Sequence, residues 1–200
     1  MRFQVDGGEG LGGFQYSGPL ETERLLLRAF EARDFDAVFD MRSRPEVALY
    51  TYWEPQTEAE AREALEKRIG FRALHDEGDV LALAAELKTT GEVIGDVILQ
   101  WLSREHALGE IGFIVHPDHQ GRGHAPEMTR PLLRIAFEDV GLHRVIGRAE
   151  ARNAASARVM EKLGMRREAH LVENEWVKGE WQSGLVYAIL DHEWRGLGEP

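Results

Sequence analysis

Two glycines in the turn at residues 116 to 126 have a spacing that suggests ligand binding. The turn reads HPDHQGRGHAP and joins an apolar, strand-like segment to a helical pattern. A helix N-terminus carries unpaired amide donors and the positive end of the helix dipole, and both attract anions. Gly121 and Gly123 would let an anion approach the backbone closely. The turn therefore predicts an anion-binding site.

The order of residues in this turn argues against two common nucleotide-binding motifs. The dinucleotide fingerprint GxGxxG requires a third glycine, and this chain has Pro126 in that place. The phosphate loop GxxxxGK followed by Ser or Thr is absent as well, because no lysine or hydroxyl residue follows the glycines. The turn does match the pattern Gln-x-x-Gly-x-Ala, which is formed by Gln120, Gly123 and Ala125.

A metal site is the alternative chemistry for this turn, because it holds His116, His119 and His124. Two and four residues separate these histidines, and this spacing matches no standard zinc site. The chain also has no cysteine that could complete such a site. We therefore predict that the histidines are polar surface residues and that the protein binds no metal.

Composition limits the class of protein further. The 200 residues are 43% hydrophobic and 30% charged, as in a single globular domain with a sizeable core. The lack of cysteine excludes a disulfide scaffold and a cysteine nucleophile, and it favours a cytoplasmic location. No apolar run approaches the roughly 20 residues that cross a membrane, and the first residues lack a signal-peptide pattern. The net charge of −11 argues against nucleic acid as a partner and mildly favours cationic partners.

The strand pattern predicts a mixed α/β domain that follows a glycine-rich arm. We expect residues 1 to 18 to form a flexible arm and residues 19 to 200 to form one domain. Strands are predicted, in chain order, at residues 23 to 30, 80 to 87, 92 to 101, 110 to 115, 143 to 150, 165 to 173 and 184 to 190. The second, third and fourth of these should form an antiparallel meander.

Helix signals lie between these strands. Asp34 is expected to cap a short helix, and Thr57 with Glu60 forms a capping box that opens a second helix through about His75. Two further helices are predicted over residues 126 to 140 and 153 to 164. The resulting order βααβββαβαββ places the glycine turn and the turn at Asn153 each between a strand and a helix.

Residues 20 to about 190 resemble the GNAT family of N-acetyltransferases, and most closely its branch of RimJ/RimL-type ribosomal-protein N-terminal acetyltransferases. Four segments carry the resemblance in order: LETERLLLRAF, IGFIVHPDHQGRGHA, NAASARVMEKLGM and EWVKGEWQSGLVYAIL. The resemblance implies the GNAT fold, in which about four helices flank a mixed, mostly antiparallel twisted sheet of about seven strands. It also implies acetyl-CoA as the cosubstrate.

The same resemblance assigns cofactor-binding residues. It implies that the pyrophosphate of coenzyme A is held by the backbone of Gln120, Gly121, Arg122, Gly123, His124 and Ala125. The pantetheine arm would pair with Ile114 and Val115 and contact Asn153, and Ser156 would act on the departing sulfur. Ordinary helix capping explains Asn153 and Ser156 equally well, because a helix begins at this point.

The acceptor side is assigned in the same way. The resemblance implies that Tyr50, Tyr52 and Trp53 line the acceptor cavity, although core packing would also explain these aromatic residues. Glu173, Glu175 and Trp176 lie in the segment that faces the acceptor amine in the resembled branch, and Glu175 matches its proposed base. A solvent-exposed strand face is the alternative for this segment.

These assignments predict an acetyl-CoA-dependent enzyme that transfers acetyl directly to a primary amine, the N-terminal α-amine of a protein or peptide. Direct transfer suits a chain that has no cysteine. A small-molecule acetyltransferase that acts on an aminoglycoside, polyamine or amino acid is the alternative within the enzyme class, and a non-catalytic acyl-CoA-binding module is the alternative outside it. Dimerisation stays open.

Overall fold

A computed structural model describes residues 11 to 197, and most of its strands form one sheet. The strands are β1 Phe14–Gln15, β2 Leu20–Glu21, β3 Leu25–Ala29, β4 Ala73–Leu74, β5 Val80–Leu87, β6 Val93–Ser103, β7 Leu108–Val115, β8 Arg144–Glu150, β9 Arg166–Val177 and β10 Glu180–Leu190. Eight of them form a sheet in the order β2-β3-β5-β6-β7-β8-β10-β9, and β1 pairs separately with β4. Within the large sheet only β7 and β8 are parallel neighbours.

The helices lie on both faces of this sheet. They are α1 Phe35–Ser43, α2 Pro45–Ala48, α3 Glu58–Gly70, α4 His124–Arg134, α5 Ala154–Lys162 and α6 Asp191–Gly196, and α4 continues as a wider π-helical turn over Ile135–Asp139. The predicted fold class, a mixed and mostly antiparallel sheet flanked by helices, is confirmed, with one strand and two helices more than expected. None of the helices within residues 11 to 197 is long and apolar enough to cross a membrane.

Strand β5 shows how the sequence builds a core on both faces of the sheet. Its leucines Leu81 and Leu83 belong to the large cluster that includes residues of α4 and α5, whereas the alanines Ala82 and Ala84 belong to the cluster with α1 and α3. All four side chains are fully buried. Large residues on one face and small residues on the other explain why this segment reads as an uninterrupted apolar run.

Several local predictions need correction. The capping box is confirmed, since Thr57 and Glu60 exchange hydrogen bonds at the start of α3, but that helix ends at Gly70 and not near His75. The chain leaves the helix there to form β4 at residues 73 and 74. Asp34 precedes α1, yet its carboxylate accepts hydrogen bonds from the Arg28 guanidinium and not from a helix amide.

The predicted arm and the last hairpin also differ from expectation. Residues 11 to 18 contact the domain, because β1 pairs with β4 and the Gly12 amide donates to the Val140 carbonyl. Residues 1 to 10 lie outside the described part of the chain. The final strands β9 and β10 are longer than predicted and meet in a tight turn at residues 178 and 179, where both residues have positive φ.

Candidate active site

The parallel strands β7 and β8 separate after three paired positions, and a cavity opens between them. The last pair is Glu110 with Ile146. Beyond this point the cavity encloses about 460 Å³. Its lining includes residues of α2 and the following loop, of the end of β7, of the glycine turn and of the start of α5, namely Val47, Tyr50, Thr51, Phe113, Ile114, Val115, Gln120, Gly121, Gly123, His124, Ala125, Pro126, Asn153 and Ser156.

The glycine turn forms one end of this cavity. Gly121 and Gly123 have φ of 74° and 85°, a left-handed conformation that glycine adopts without steric cost. The amides of residues 121 to 125 donate to no acceptor within residues 11 to 197, whereas the Gln120 amide donates to the Pro117 carbonyl. Five consecutive free donors where α4 begins form a cradle for an anion such as a pyrophosphate.

Sequence reasoning missed the contacts that hold this turn in place. Glu127, in the first turn of α4, accepts hydrogen bonds from the Thr22 hydroxyl and from the backbone amide and guanidinium of Arg24. Arg24 also donates to the carbonyl of Arg122 at 2.9 Å. Burial acts to raise the pKa of Glu127, but the hydrogen bonds from Thr22 and Arg24 lower it below its usual range. Because Glu127 lies 103 residues from Arg24, no local pattern indicates this contact.

The three histidines of the turn bind carboxylates or lie buried. His116 Nε2 lies 2.7 Å from a carboxylate oxygen of Asp40, and His119 Nε2 lies 3.2 Å from one of Glu92. His124 is buried, and this burial together with the charge of Arg24 lowers its pKa. Within residues 11 to 197 no three histidine or acidic side chains converge as a metal site. The prediction that these histidines are polar surface residues is therefore wrong, since His116 and His124 are buried; His116 connects the turn to α1, and His119 connects it to the residue before β6.

The start of α5 presents two polar side chains to the cavity. The Asn153 side-chain oxygen accepts a hydrogen bond from the Ser156 amide at 3.0 Å, so Asn153 does cap the helix. Its amide nitrogen and the Ser156 hydroxyl have no hydrogen-bond partner in the described part of the chain, and both residues line the cavity. Capping and ligand binding are therefore compatible, because they use different atoms of Asn153.

The loop after α2 also lines the cavity. Tyr50 and Thr51 line the cavity, and the hydroxyl of the next residue, Tyr52, donates to the Glu175 carboxylate at 2.7 Å. Lys178, in the turn between β9 and β10, donates to the Ala48 carbonyl at 2.6 Å. Partial desolvation of the hydroxyl and the adjacent Glu175 carboxylate raise the pKa of Tyr52, although most of the side chain is exposed. These contacts bring Glu175 to the cavity-lining loop although 123 residues separate it from Tyr52.

Six of the predicted site residues lie outside the cavity lining, namely Tyr52 and Glu175, which contact each other beside the lining loop, and four more. The Trp53 ring packs against the Arg42 guanidinium at 4.3 Å. Trp176 packs edge-on against Trp181, and its side chain is largely exposed. Glu173 is an exposed residue with φ of 46° in an irregular part of β9. Arg122 contributes its carbonyl to the Arg24 contact, and its side chain does not line the cavity.

A second ion pair lies where β7 and β8 separate. Arg148 Nε and Nη2 donate to the two carboxylate oxygens of Glu110 at 2.9 and 2.5 Å. The hydrogen bonds to the Glu110 carboxylate raise the pKa of Arg148. Sequence reasoning did not find this pair, because its partners belong to strands that are joined through α4.

Comparison with known proteins gives consistent matches. The family described as "Acetyltransferase (GNAT) domain" matches residues 24–166. The uncharacterized N-acetyltransferase YnaD of Bacillus subtilis is 33% identical over 175 residues, which cover 88% of this chain and 98% of that protein.

Two solved structures are similar along nearly their whole length. The crystal structure of a GNAT-family acetyltransferase from Bacillus anthracis has a TM-score of 0.78 and 30% identity, and the match covers 87% of this chain and 99% of the other. The spermidine N-acetyltransferase from Vibrio cholerae, crystallised with CoA and spermine, has a TM-score of 0.73 and 26% identity. The match covers 87% of this chain and 99% of the other.

Proposed function

The chain belongs to the GNAT family of N-acetyltransferases, and from this premise we propose that its acceptor is the N-terminal α-amine of a peptide or protein, as in the RimJ/RimL-type branch. Acetyl-CoA is the cosubstrate, and the transfer to nitrogen is direct. The observation that carries the acceptor assignment is the hydrogen bond from Tyr52 to Glu175, which holds a carboxylate beside the cavity-lining loop.

The cofactor end of the cavity suits the polyanionic part of coenzyme A. Although the protein carries a net charge of −11, the five free amides of residues 121 to 125 create a local site for a pyrophosphate. Ile114 and Val115 offer the strand edge that the separation of β7 and β8 leaves open. The free amide nitrogen of Asn153 is the donor that we assign to the pantetheine arm.

Glu175 is the group that we assign to take a proton from the amine. An α-amine with a pKa of about 8 is only roughly one-tenth neutral at pH 7, yet only the neutral form is a nucleophile. A carboxylate attracts the ammonium form and then accepts its proton, directly or through a water. The hydrogen bond from Tyr52 fixes the orientation of this carboxylate.

Ser156 is the group that we assign to the departing thiolate. Its hydroxyl has no hydrogen-bond partner within residues 11 to 197, and it faces the cavity at the start of α5. A hydroxyl can donate a hydrogen bond to the sulfur, or relay a proton, without itself ionising. Met160, four residues further along α5, is buried and offers no proton.

The exposure of the acceptor side favours a large acceptor. Tyr52 is 73% exposed although its hydroxyl contacts Glu175, and Trp176, next to Glu175 in β9, is 61% exposed. Exposed aromatic side chains beside a reactive site are a typical contact surface for a peptide chain. A polyamine is the second candidate acceptor, because the similar Vibrio cholerae enzyme acts on spermidine and was crystallised with spermine.

Thiol release from acetyl-CoA tests the acceptor directly. The acceptors are a short peptide with a free α-amine and uncharged side chains, the same peptide with a blocked N-terminus, and spermidine. We expect thiol release with the free peptide and little with the blocked one. Thiol release with spermidine alone would contradict the peptide assignment.

The Glu175→Gln variant tests the proposed base. It should lower kcat by roughly 100-fold, as expected for loss of a general base, and leave acetyl-CoA affinity nearly unchanged. A higher pH should restore part of the rate, because more of the amine is then neutral. Tyr52→Phe keeps the Glu175 carboxylate but removes its hydrogen bond, and it should lower kcat less than Glu175→Gln does. Ser156→Ala should also lower kcat less. A Glu175→Gln enzyme with the parental kcat at pH 7 would rule out this role.

A further inference from the structure

The cavity extends past the glycine turn along one face of α5. Ala155, Val159 and Lys162 line it, and intervals of four and three residues place side chains on the same side of a helix. The start of α4 contributes Ala125 and Pro126 to the same lining. A groove therefore leads away from the anion cradle between the first turn of α4 and the face of α5. This part of the cavity is the α4–α5 groove.

Arg158 and Lys162 bring two free positive charges to the α4–α5 groove. Both residues line the cavity, and neither side chain forms an ion pair or a hydrogen bond with any residue from 11 to 197. By contrast, Arg152 and Arg166, which precede and follow α5, each pair with two glutamates. Arg130 of α4 donates to the Lys162 carbonyl at 3.3 Å and adds a third positive charge nearby.

The other ionisable residues of the lining leave this wall positively charged. Glu46 is the acidic residue among them, and it lies on α2, where it pairs with Arg44. Glu161 is the acidic residue of α5, but it does not line the cavity, and it accepts a hydrogen bond from the Tyr187 hydroxyl. The two histidines of the lining belong to the glycine turn. In the described part of the chain, the α5 wall of the groove thus carries two cations and no anion.

We propose that Arg158 and Lys162 form a second anion site, which binds the ribose phosphate of coenzyme A and selects acetyl donors that carry this phosphate. The inference rests on the cofactor part of the proposed function and deepens it, and it is independent of the acceptor. Arg158 and Lys162 act here as specificity-determining residues and take no part in the transfer of the acetyl group.

The chemistry of the cofactor matches this groove. The pyrophosphate of coenzyme A joins the pantetheine arm to an adenosine, and the ribose of this adenosine carries a further phosphate. A pyrophosphate in the cradle, with the pantetheine arm at Asn153, leaves the adenosine within reach of the α4–α5 groove. Pro126 and Val159 offer the base an apolar surface. Guanidinium and ammonium groups form short, charge-assisted hydrogen bonds with phosphate oxygens, which is the role of Arg158 and Lys162.

Electrostatics sets the size of the expected selectivity. A phosphate monoester carries a charge of about −1.5 to −2 at pH 7, whereas the same ribose without its phosphate is neutral. Charged hydrogen bonds to this phosphate should make coenzyme A bind at least about tenfold more tightly than dephospho-coenzyme A. Because Arg158 and Lys162 are exposed at the groove, added salt should reduce this ratio of affinities.

Calorimetry with coenzyme A and with dephospho-coenzyme A, which lacks only the ribose phosphate, tests the site. Arg158→Gln and Lys162→Gln should each lower the ratio of the two affinities severalfold. In the double variant the two affinities should differ by less than about threefold, because only the nearby Arg130 then remains to attract the phosphate. The affinity for dephospho-coenzyme A should stay close to that of the wild type in all variants, which also shows that each protein is folded.

Arg134→Gln is the matched control. Arg134 is exposed and has no acidic partner within residues 11 to 197, but it lies in the last turn of α4, outside the cavity lining. This variant removes the same charge and should keep the wild-type ratio of affinities.

Three results would overturn the inference: equal affinities for the two ligands in the wild type, a wild-type ratio in the double variant, or an equal loss of the ratio in Arg134→Gln. Because the measurement contains no acceptor, its result is separate from the test of the peptide assignment. A wild-type protein that binds neither ligand would refute the cofactor assignment itself.

Discussion

Substitution of Gly123 by valine tests the anion cradle most directly. Gly123 has φ of 85° and directly precedes α4. A Cβ added at this position would lie 3.4 Å from Arg24 Nη2, so the Cβ itself meets no clash with the protein. The cost arises from the left-handed backbone, about 1 to 2 kcal/mol for a residue with a Cβ, and from the methyl groups placed where an anion would approach.

The expected loss of affinity follows from the free amides. If the backbone rotates to relieve the strain, or if the side chain blocks the approach, at least one charged hydrogen bond of about 1.5 to 3 kcal/mol is lost. Acetyl-CoA affinity should then fall by at least about tenfold and by up to about 150-fold. Arg122→Ala should reduce affinity less, because a screened side-chain charge contributes less than the backbone donors.

Gly78→Val is the matched control for this measurement. Gly78 has φ of 94°, a Cβ added there would meet no atom within 4 Å, and the residue lies in the turn before β5, at the end of the sheet away from the glycine turn. Both variants should lose similar stability in thermal unfolding, but only Gly123→Val should lose acetyl-CoA affinity in calorimetry. A folded Gly123→Val protein with wild-type affinity would refute the cradle assignment.

Two further predictions concern buried charges outside the cavity. Burial and the charge of Arg68 lower the pKa of Arg42 to about 10. The Arg42 guanidinium contacts Gln56 and Trp53 in the loop after α2. Arg42→Met should therefore change the free energy of unfolding by less than about 1 kcal/mol, but it should raise KM for the amine several-fold, as measured by steady-state kinetics. Asp34→Asn should destabilise the fold by about 3 kcal/mol at pH 7, because it breaks the buried pair with Arg28. Burial acts to raise the pKa of Asp34, but the Arg28 hydrogen bonds lower it on balance, so the stabilisation is present above the ordinary pKa of about 3.9 and is lost as the pH falls through the lowered pKa. Chemical denaturation should show that wild type and variant differ less in free energy of unfolding at pH 2.5 than at pH 7. An equal difference in free energy at both pH values would contradict this assignment.

Features with a local cause were predictable from the sequence. The Thr57 capping box and the strand-turn-helix at Gly121 and Gly123 each depend on residues a few positions apart, so their types and spacing carry the information. The antiparallel meander β5-β6-β7 was also predictable, since short turns join its apolar strands. The cofactor half of the site consists largely of such local features.

The end of the sheet was predictable only in part, because β9 lacks the usual strand pattern. Most of its side chains are exposed, so no alternation of apolar and polar residues marks it. Its course is interrupted near Glu173, which has positive φ, and it turns at Lys178 and Gly179, where no Asn-Gly or Asp-Gly signal exists. The predicted strand therefore stops near residue 173, four residues short of the observed end.

Pairs that are distant in the chain were not predictable from one sequence. Glu110 and Arg148 lie 38 residues apart and Tyr52 and Glu175 lie 123 residues apart. Each is one of many charged or aromatic residues on its segment, and only the order of strands in the sheet brings the partners together. Resemblance pointed to Glu175 and Tyr52 individually, but not to their contact.

The segment from α2 through Tyr52 links the two halves of the site physically. Val47, Tyr50 and Thr51 line the cavity that we assign to coenzyme A, and Tyr52 orients the proposed base. Lys178 fixes the other side of this segment through the Ala48 carbonyl. A displacement of the segment on cofactor binding would therefore move the hydroxyl that holds Glu175. This segment is therefore a direct physical connection between the cavity and the proposed base.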